Sequence, residues 1–312
     1  MSAVHTSKYR STVAVVGLGS IGGGIAGSLC AAGRHDVVAC TRRPLERLIV
    51  ERQEGTADVP LRTLTDPAKA EPVGWVLLCT KAHETASTTE WLSRLCNRST
   101  RVAVLQNGID HAARVKPLIG DATVVPALVY YNGERLAADR VRIRHAGEHD
   151  LVVSDDAGGR AFVQLLDGTP LRVVMSSDFT TLKWRKLLIN AIANPITALT
   201  LRRQEVLRRD DIRALCLAIL NEAVAVGRAD GACLAADEAT QTVSTLLTFS
   251  PEFGTSMYFD RLAGRALEVE ALTGAIVAAG ERHGIATPLN NALLALLRAI
   301  SDVAGQNASG RP

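Results

Sequence analysis

The feature that most constrains this chain is the run Val13-Ala-Val-Val16-Gly17-Leu18-Gly19-Ser20-Ile21-Gly22. A short apolar strand is followed by G-x-G-x-x-G, and an apolar segment of helical character then runs from Ile21 to Ala32. In a strand–turn–helix of this kind the first glycine permits the tight turn. The second lets backbone approach a pyrophosphate, and the third lets helix and strand pack closely. The helix N-terminus then offers unpaired N–H groups and the positive end of its dipole to an anion. A lone match in a glycine-rich turn would be weak, but its place between a strand and a helix near the N-terminus makes it specific. Residues 13–33 carry no charge and so mimic a membrane span, yet seven of these 21 residues are glycine. Each costs a helix about 1 kcal/mol relative to alanine, a poor basis for a spanning helix. No other uncharged apolar run reaches 18 residues.

A nucleotide turn needs a sheet behind it, and the first half supplies one. Asp36-Val-Val-Ala-Cys40, Trp75-Val-Leu-Leu-Cys79 and Val102-Ala-Val-Leu105 read as buried strands. Helices are expected over Leu45–Glu54 and Glu84–Cys96. Continuous apolar strands alternating with helices predict a parallel sheet covered on both faces. Thr123–Tyr130, Val141–Arg144 and Leu151–Val153 are expected to extend that sheet, partly antiparallel. Beyond about Val174 only helical periodicity remains, with helices expected over Asp178–Leu201, Asp211–Gly227, Asp237–Phe249, from Ser256, over Glu268–His283 and over Asn290–Val303. The tail at 305–312 is small and polar and is expected to fray. The chain of 312 residues thus reads as α/β, with an N-terminal Rossmann-type doubly wound sheet over 1–175 and a C-terminal all-helical domain over 176–312.

The second strand ends in Thr41-Arg42-Arg43, where an NAD site would place an acid to hold the ribose 2′-hydroxyl. Guanidinium groups suit a 2′-phosphate, so NADP(H) is the expected cofactor and Arg42 its 2′-phosphate contact. The alternative is two solvated arginines capping a strand, a role for which Arg43 is the better candidate.

Lys186, Asn190 and Asn194 stand four apart in KLLINAIANP. On a helix they share one face, among Leu187, Leu188, Ile189, Ile192 and Ile196. One ammonium and two carboxamides therefore form a polar stripe on a buried helix. Without partners such groups cost about 1–3 kcal/mol each, more for the charge, so something polar must meet them. Interhelical hydrogen bonds would satisfy them as well as a ligand would.

Other classes are disfavoured. Lys plus Arg total 35 against 32 acids, a net charge of +3, and aromatics are 4%, which speaks against nucleic acid and acidic membranes as partners. Six cysteines form no C-x-x-C pair and most lie in apolar runs, so a reducing, cytoplasmic compartment is expected. The histidines, His83, His111 and His283 among them, show no ligand spacing, and no metal is expected.

With these motifs in place the chain resembles the ketopantoate reductase family, from the glycine turn to about Ile300. The resemblance rests on GLGSIG, CTKAHET around Lys81, LQNGID around Asn107, KLLINAIANPITAL, Ser256-Met257 with Glu268 and Glu270 downstream, and HGIATPLN from His283. It implies NADPH-dependent reduction of 2-dehydropantoate to pantoate in pantothenate synthesis. Lys186 would be the general acid and Glu268 would complete the catalytic pair. Asn190, Asn194 and Ser256 would line the substrate site. Gly17, Leu18, Gly19, Ser20, Ile21, Gly22 and Arg42 would hold the cofactor, with Lys81 and Asn107 at its nicotinamide end. Closure of the two domains over the substrate would exclude water.

The residues themselves leave questions for the structure. Ser256 and Glu268 lie twelve apart, about 120° around one helix, and can share a site only if Gly264 breaks the segment or their helix crosses that of Lys186 suitably. Glu268 could instead lie on a solvated face with Glu270 and Glu281, and Lys81 could be a surface charge after a strand. Lys183 and Arg185 are expected to be exposed. Two other readings stand beside the first: a paralogue reducing another 2-oxoacid or ketone with NADPH, and a non-catalytic NADP-sensing protein. The partner is expected to be a small 2-oxoacid, and the helical domain leaves room for a homodimer.

Overall fold

The computed structural model describes residues 11–309, with side chains as far as Asp302. The chain divides into two compact units. One takes the chain up to Gln106 together with His111–Phe179, and the other takes Asn107–Asp110 and the chain from Thr180 onward.

The first unit contains strands β1 (Thr12–Val16), β2 (Asp36–Cys40), β3 (Arg47–Arg52), β4 (Gly55–Pro60), β5 (Arg62–Leu64), β6 (Trp75–Leu78), β7 (Arg101–Val104), β8 (Thr123–Val129), β9 (Asn132–Ala137), β10 (Arg140–Arg144), β11 (Leu151–Ser154) and β12 (Val173–Ser176). Its helices are α1 (Ser20–Ala32), α2 (Thr89–Leu95), α3 (His111–Val115) and α4 (Ala157–Leu165). Eight strands form one sheet in the order β12-β11-β8-β7-β6-β1-β2-β5. It is parallel from β5 through β8 and reverses at β11, which pairs antiparallel with β8. Alternate residues of β1 serve opposite faces. Val13 and Val15 pack in the cluster holding Ile25, Leu29 and Phe162, and Ala14 and Val16 in the one holding Leu92, Leu95 and Val115. Helices thus cover both faces, as the apolar strands predict.

Three local expectations are corrected. The segment 45–54 is not a helix: Arg47–Arg52 is β3, in an antiparallel hairpin with β4. Its buried run Leu48-Ile49-Val50 satisfies a strand as well as a helix, and packing decides. Second, β10 does not extend the main sheet but joins a second one, ordered β4-β3-β10-β9. That sheet lies against α1, and the surplus glycines of α1 make room for it. Side chains at Gly23, Gly24 and Gly27 would collide with Val141, Ile143 and Val50. Third, the helix over 84–96 begins as a 3₁₀ segment, Ala82–Thr88. The hydroxyls of Ser87, Thr88 and Thr89 donate 2.7 Å bonds to carbonyls three residues back, which suits the tighter coil.

The second unit is helical: α5 (Phe179–Thr200, its first residue in the other unit), α6 (Asp210–Ala229), α7 (Glu238–Thr248), α8 (Ser256–Leu262), α9 (Ala275–His283) and α10 (Pro288–Ser309), with a π-helical turn at Glu270–Gly274. Its core gathers Trp184, Leu187, Leu188 and Ile192 of α5 with Ile219 and Leu220 of α6, Ile276 of α9 and Leu297 of α10. The arginines at 202–209 are absorbed locally. Arg202 pairs with Glu205 at 3.0 Å and Arg209 with Asp211 at 2.7 Å, and Arg203 and Arg208 donate to the carbonyls of Glu252, Leu247 and Phe249. Helix α10 runs past its expected end at Val303, and residues 310–312 of the expected frayed tail lie outside the described residues. All six cysteines are free, and among the described residues no helix is long and apolar enough to cross a membrane.

Candidate functional site

The turn after β1 shows three glycines held for three reasons. Gly17 has φ +94°, and a Cβ there would lie 2.6 Å from the amide nitrogen of Thr80. A Cβ on Gly22 would collide with the carbonyl oxygen of Gly17. Around Gly19 no atom of the described residues beyond its chain neighbours and its own helix lies within 4 Å of a Cβ position, and its backbone is extended at φ −81°. Folding therefore requires Gly17 and Gly22 but leaves the glycine at 19 unexplained. A ligand pressed against the backbone explains it.

Gly19 is the N-cap of α1 and supplies no side-chain cap, and the first turn carries no acid. The early N–H groups and the helix dipole thus have no cap side chain and no first-turn acid to meet them. Leu18 and Ile21 pack their side chains against the core and offer only backbone to a ligand, while Ser20 sits beside Gly133. These residues fit a dinucleotide pyrophosphate.

After β2 the chain turns at Thr41, whose hydroxyl donates to the carbonyl of Arg43 at 2.7 Å. Arg42 and Arg43 are exposed, and neither guanidinium is paired among the described residues. Both are free to meet an anion, whereas Arg62 nearby already pairs with Asp36 at 2.8 Å.

The loops following β6 and β7 are joined by Gln106, a buried residue the motif reading passed over. Its amide donates to Thr80 Oγ1 at 3.0 Å, to Thr85 Oγ1 at 2.9 Å and to the carbonyl of Lys81 at 3.4 Å. Arg114 donates to its oxygen at 2.9 Å, and His111 Nε2 donates to its carbonyl at 2.8 Å. Lys81 therefore has a braced backbone and a half-buried side chain, rather than a free surface position. The carboxyl ends of parallel strands are where α/β sheets bind ligands. Gln106 could have been noticed only as a polar residue directly after an apolar strand.

In the second unit α5 carries the polar stripe. Lys186 Nζ donates to Asn107 Oδ1 at 3.4 Å, and Asn107 Nδ2 donates to Glu268 Oε2 at 3.1 Å. Burial pulls the Lys186 ammonium from the usual 10.5 down to about 8, and the Glu268 carboxylate opposes that fall. Glu268 is 5% exposed, so the solvated-face alternative fails for it. Glu270, by contrast, is exposed and holds Arg298 at 2.7 and 2.8 Å. Helix α8 ends at Leu262 and Gly264 follows at φ +63°, so the 120° offset of one continuous helix does not apply.

Asn190 is half-buried and Asn194 is 3% exposed, and neither side chain makes a hydrogen bond among the described residues. The stripe is therefore not a set of satisfied interhelical bonds. Neither carboxamide is committed to a protein partner among the described residues, so both are open to a polar ligand.

Ser256 is the exposed first residue of α8 and is not hydrogen-bonded to the Lys186 set. Thr255 before it caps α8, and its hydroxyl lies 2.7 Å from that of Thr197, one turn past Asn194. This contact seats the start of α8 on α5. Nearby, Gln204 donates its backbone N–H to Phe253 and carries a buried Oε1 with no partner among the described residues, a polar position without a sequence signal. Lys183 is half-buried rather than exposed, and Arg185 is exposed but holds the buried Glu238 in a forked pair at 2.8 and 3.2 Å. No cluster of metal-ligating side chains is present among the described residues.

Comparison with known proteins assigns the family. The model "Ketopantoate reductase PanE/ApbA" matches residues 13–158, and its C-terminal counterpart matches 178–301. A 2-dehydropantoate 2-reductase of Caulobacter vibrioides is 38% identical over 93% of this chain and 99% of its own length. That of Mycobacterium tuberculosis is 39% identical over 94% and 99%. Among solved structures, a PanE/ApbA family ketopantoate reductase from Ralstonia eutropha superposes with a TM-score of 0.84 at 29% identity, covering 94% of this chain and 99% of that one. The chain belongs to the ketopantoate reductase family, whose members bind a nicotinamide cofactor.

Proposed function

We propose that the protein reduces 2-dehydropantoate to pantoate with NADPH, as an oxidoreductase of pantothenate synthesis in the cytoplasm. The observation that carries this reading is the Lys186–Asn107–Glu268 arrangement on a helix whose Asn190 and Asn194 carboxamides make no hydrogen bond among the described residues. The first unit is the NADP-binding domain. Gly17, Leu18, Gly19, Ser20, Ile21 and Gly22 cradle the pyrophosphate, Arg42 meets the 2′-phosphate, and Lys81 and Asn107 serve the nicotinamide end. The second unit is the helical substrate and catalytic domain.

When bound at these residues, the cofactor would supply a hydride to the ketone carbon. Lys186 supplies the proton to the ketone oxygen, and its charge stabilises the alkoxide as it develops. A donor near 8 is protonated at neutral pH yet acidic enough to release its proton. Glu268 keeps Lys186 charged against burial, and Asn107 holds both side chains in register. Asn190, Asn194 and Ser256 bind the substrate's carboxylate and hydroxyl without adding a competing charge. A homodimer is the assembly we favour, because the Staphylococcus aureus ketopantoate reductase, 25% identical with a TM-score of 0.82, is described as dimeric. Sedimentation of the purified protein tests that assembly.

The reaction is tested by following NADPH absorbance with a panel of 2-oxoacids. Fastest turnover with 2-dehydropantoate is expected. Faster turnover of a different oxoacid would reassign the substrate, and no oxidation with any of them would end the reductase reading.

A further inference from the structure

We propose that Ser301 and Arg298 of α10 are positioning residues, which grip the chain on either side of Glu268 and so set where its carboxylate stands. Their effect on turnover rests on the reductase reading above, but their effect on the chain around Glu268 does not.

Glu268 lies in neither a helix nor a strand. It closes the irregular stretch 265–268 between the turn after α8 and the π-helical turn Glu270–Gly274. A residue inside a helix takes its direction from the hydrogen-bond ladder, and Glu268 has no such ladder. Yet it is buried, and Asn107 Nδ2 meets its Oε2 at 3.1 Å. Its direction must be supplied from outside the stretch, and α10 supplies it. On one side of Glu268, the N–H of Leu267 donates to Ser301 Oγ at 3.0 Å. On the other, Arg298 donates to both carboxylate oxygens of Glu270, at 2.7 and 2.8 Å. Arg298 and Ser301 are three apart on α10 and leave neighbouring positions on one face. A single helix face thus holds the residue one before Glu268 and the residue two after it.

Both ends of this grip are built to fit. A Cβ at Gly274 would stand 2.8 Å from Glu270 Oε2, and a carboxylate tied through both oxygens to Arg298 is not free to swing aside. Glycine there leaves the carboxylate its place. Helix α10 is itself fixed at its start. Glu222 of α6 accepts from the N–H groups of Leu289 at 2.9 Å and Asn290 at 3.0 Å, and from Asn290 Nδ2 at 2.8 Å. These N–H groups have no partner within their own helix, and its dipole favours a carboxylate beside them. They belong to the run HGIATPLN, which has no place in the reaction itself. Its role is to seat α10 on α6, so that the turns carrying Arg298 and Ser301 meet the chain around Glu268 from a fixed base. Neither residue bonds to Glu268, Asn107 or Lys186, so they act through the chain rather than on the reacting atoms.

The test uses Ser301→Ala, Arg298→Ala and their double variant in the full chain, with Ser301→Thr keeping the hydroxyl. Hydrogen exchange reads two amides that flank Glu268, those of Val269 and Gly274, which donate to the carbonyls of Leu267 at 2.8 Å and Val269 at 3.0 Å. Neither amide bonds to α10, so faster exchange there reports the stretch and not merely the deleted contact. Ser301→Ala and Arg298→Ala should each speed it, the double variant most, and Ser301→Thr should not. Turnover gives the second readout. The double variant should lower kcat on the order of tenfold, since small misplacements of reacting groups are costly, and leave NADPH affinity unchanged. A misplaced Glu268 carboxylate supports the Lys186 charge less well, so the fall of kcat at high pH should move to lower pH, as Glu268→Gln should move it. In a Glu268→Ala background the two substitutions should cost nothing further. Unchanged exchange in the double variant, an unmoved pH limb, or a loss that persists in the Glu268→Ala background would overturn the proposal. Arg298 is exposed and its ion pair adds little to overall stability, so Arg298→Ala should melt near the wild-type temperature. With Glu270→Gln it gives the same decision if Ser301→Ala fails to fold. A wild-type protein that oxidises no NADPH with any 2-oxoacid would remove the reductase reading, and the exchange experiment would still decide the role of α10.

Discussion

Lys186 and Glu268 face one another across a single carboxamide: Asn107 accepts from the ammonium at 3.4 Å and donates to the carboxylate at 3.1 Å. Asn107 thereby joins the cation to its counter-charge, and the Glu268 carboxylate opposes the loss of the Lys186 proton that burial favours.

Replacing Lys186 by Ala should lower kcat at least about 100-fold, the lower range for loss of a general acid, while NADPH still binds. Steady-state rates and a fluorescence titration of NADPH check both halves. Near-normal turnover would remove the mechanism.

The pH dependence of kcat follows from the same group. Lys186 donates in its charged form, so activity should be full below pH 8 and fall as pH rises through about 8. Glu268 holds that value up. Glu268→Gln should therefore move the falling limb to lower pH, as well as slow the reaction. A limb that stays in place would show that Glu268 does not act on the ammonium.

Arg42, just after β2, has an exposed guanidinium that is unpaired among the described residues. Arg42→Ala should raise KM for NADPH about tenfold or more and leave KM for NADH nearly unchanged, since only the 2′-phosphate is lost as a partner. Arg43→Ala should have the smaller effect. The reverse order would assign the phosphate to Arg43.

Gly19 and Gly22 should separate in their effects. Ala fits at 19 without touching protein, so Gly19→Ala should melt near the wild-type temperature but bind NADPH poorly. Gly22→Ala drives a methyl group into the Gly17 carbonyl and should lower stability by a few kcal/mol, on the order expected for backbone strain and overpacking. Thermal melts with and without NADPH distinguish the two.

Features that repeat over a few residues were legible in the chain itself. The strand–glycine–helix turn, the parallel strands and the Lys186–Asn190–Asn194 face depend on spacings within one or two elements, where periodicity maps directly onto direction. Arg42 after β2 could be read in the same way. Tertiary structure alone decided the rest. The run Leu48-Ile49-Val50 became an inner strand because a second sheet packs on the glycine face of α1. Lys183 is half-buried, although nothing in its own stretch of sequence marks it off from its exposed neighbour Arg185. Asn107 and Glu268 are 161 residues apart and meet only in the folded chain. Burial and the approach of distant charges belong to the packed molecule, and no local pattern encodes them.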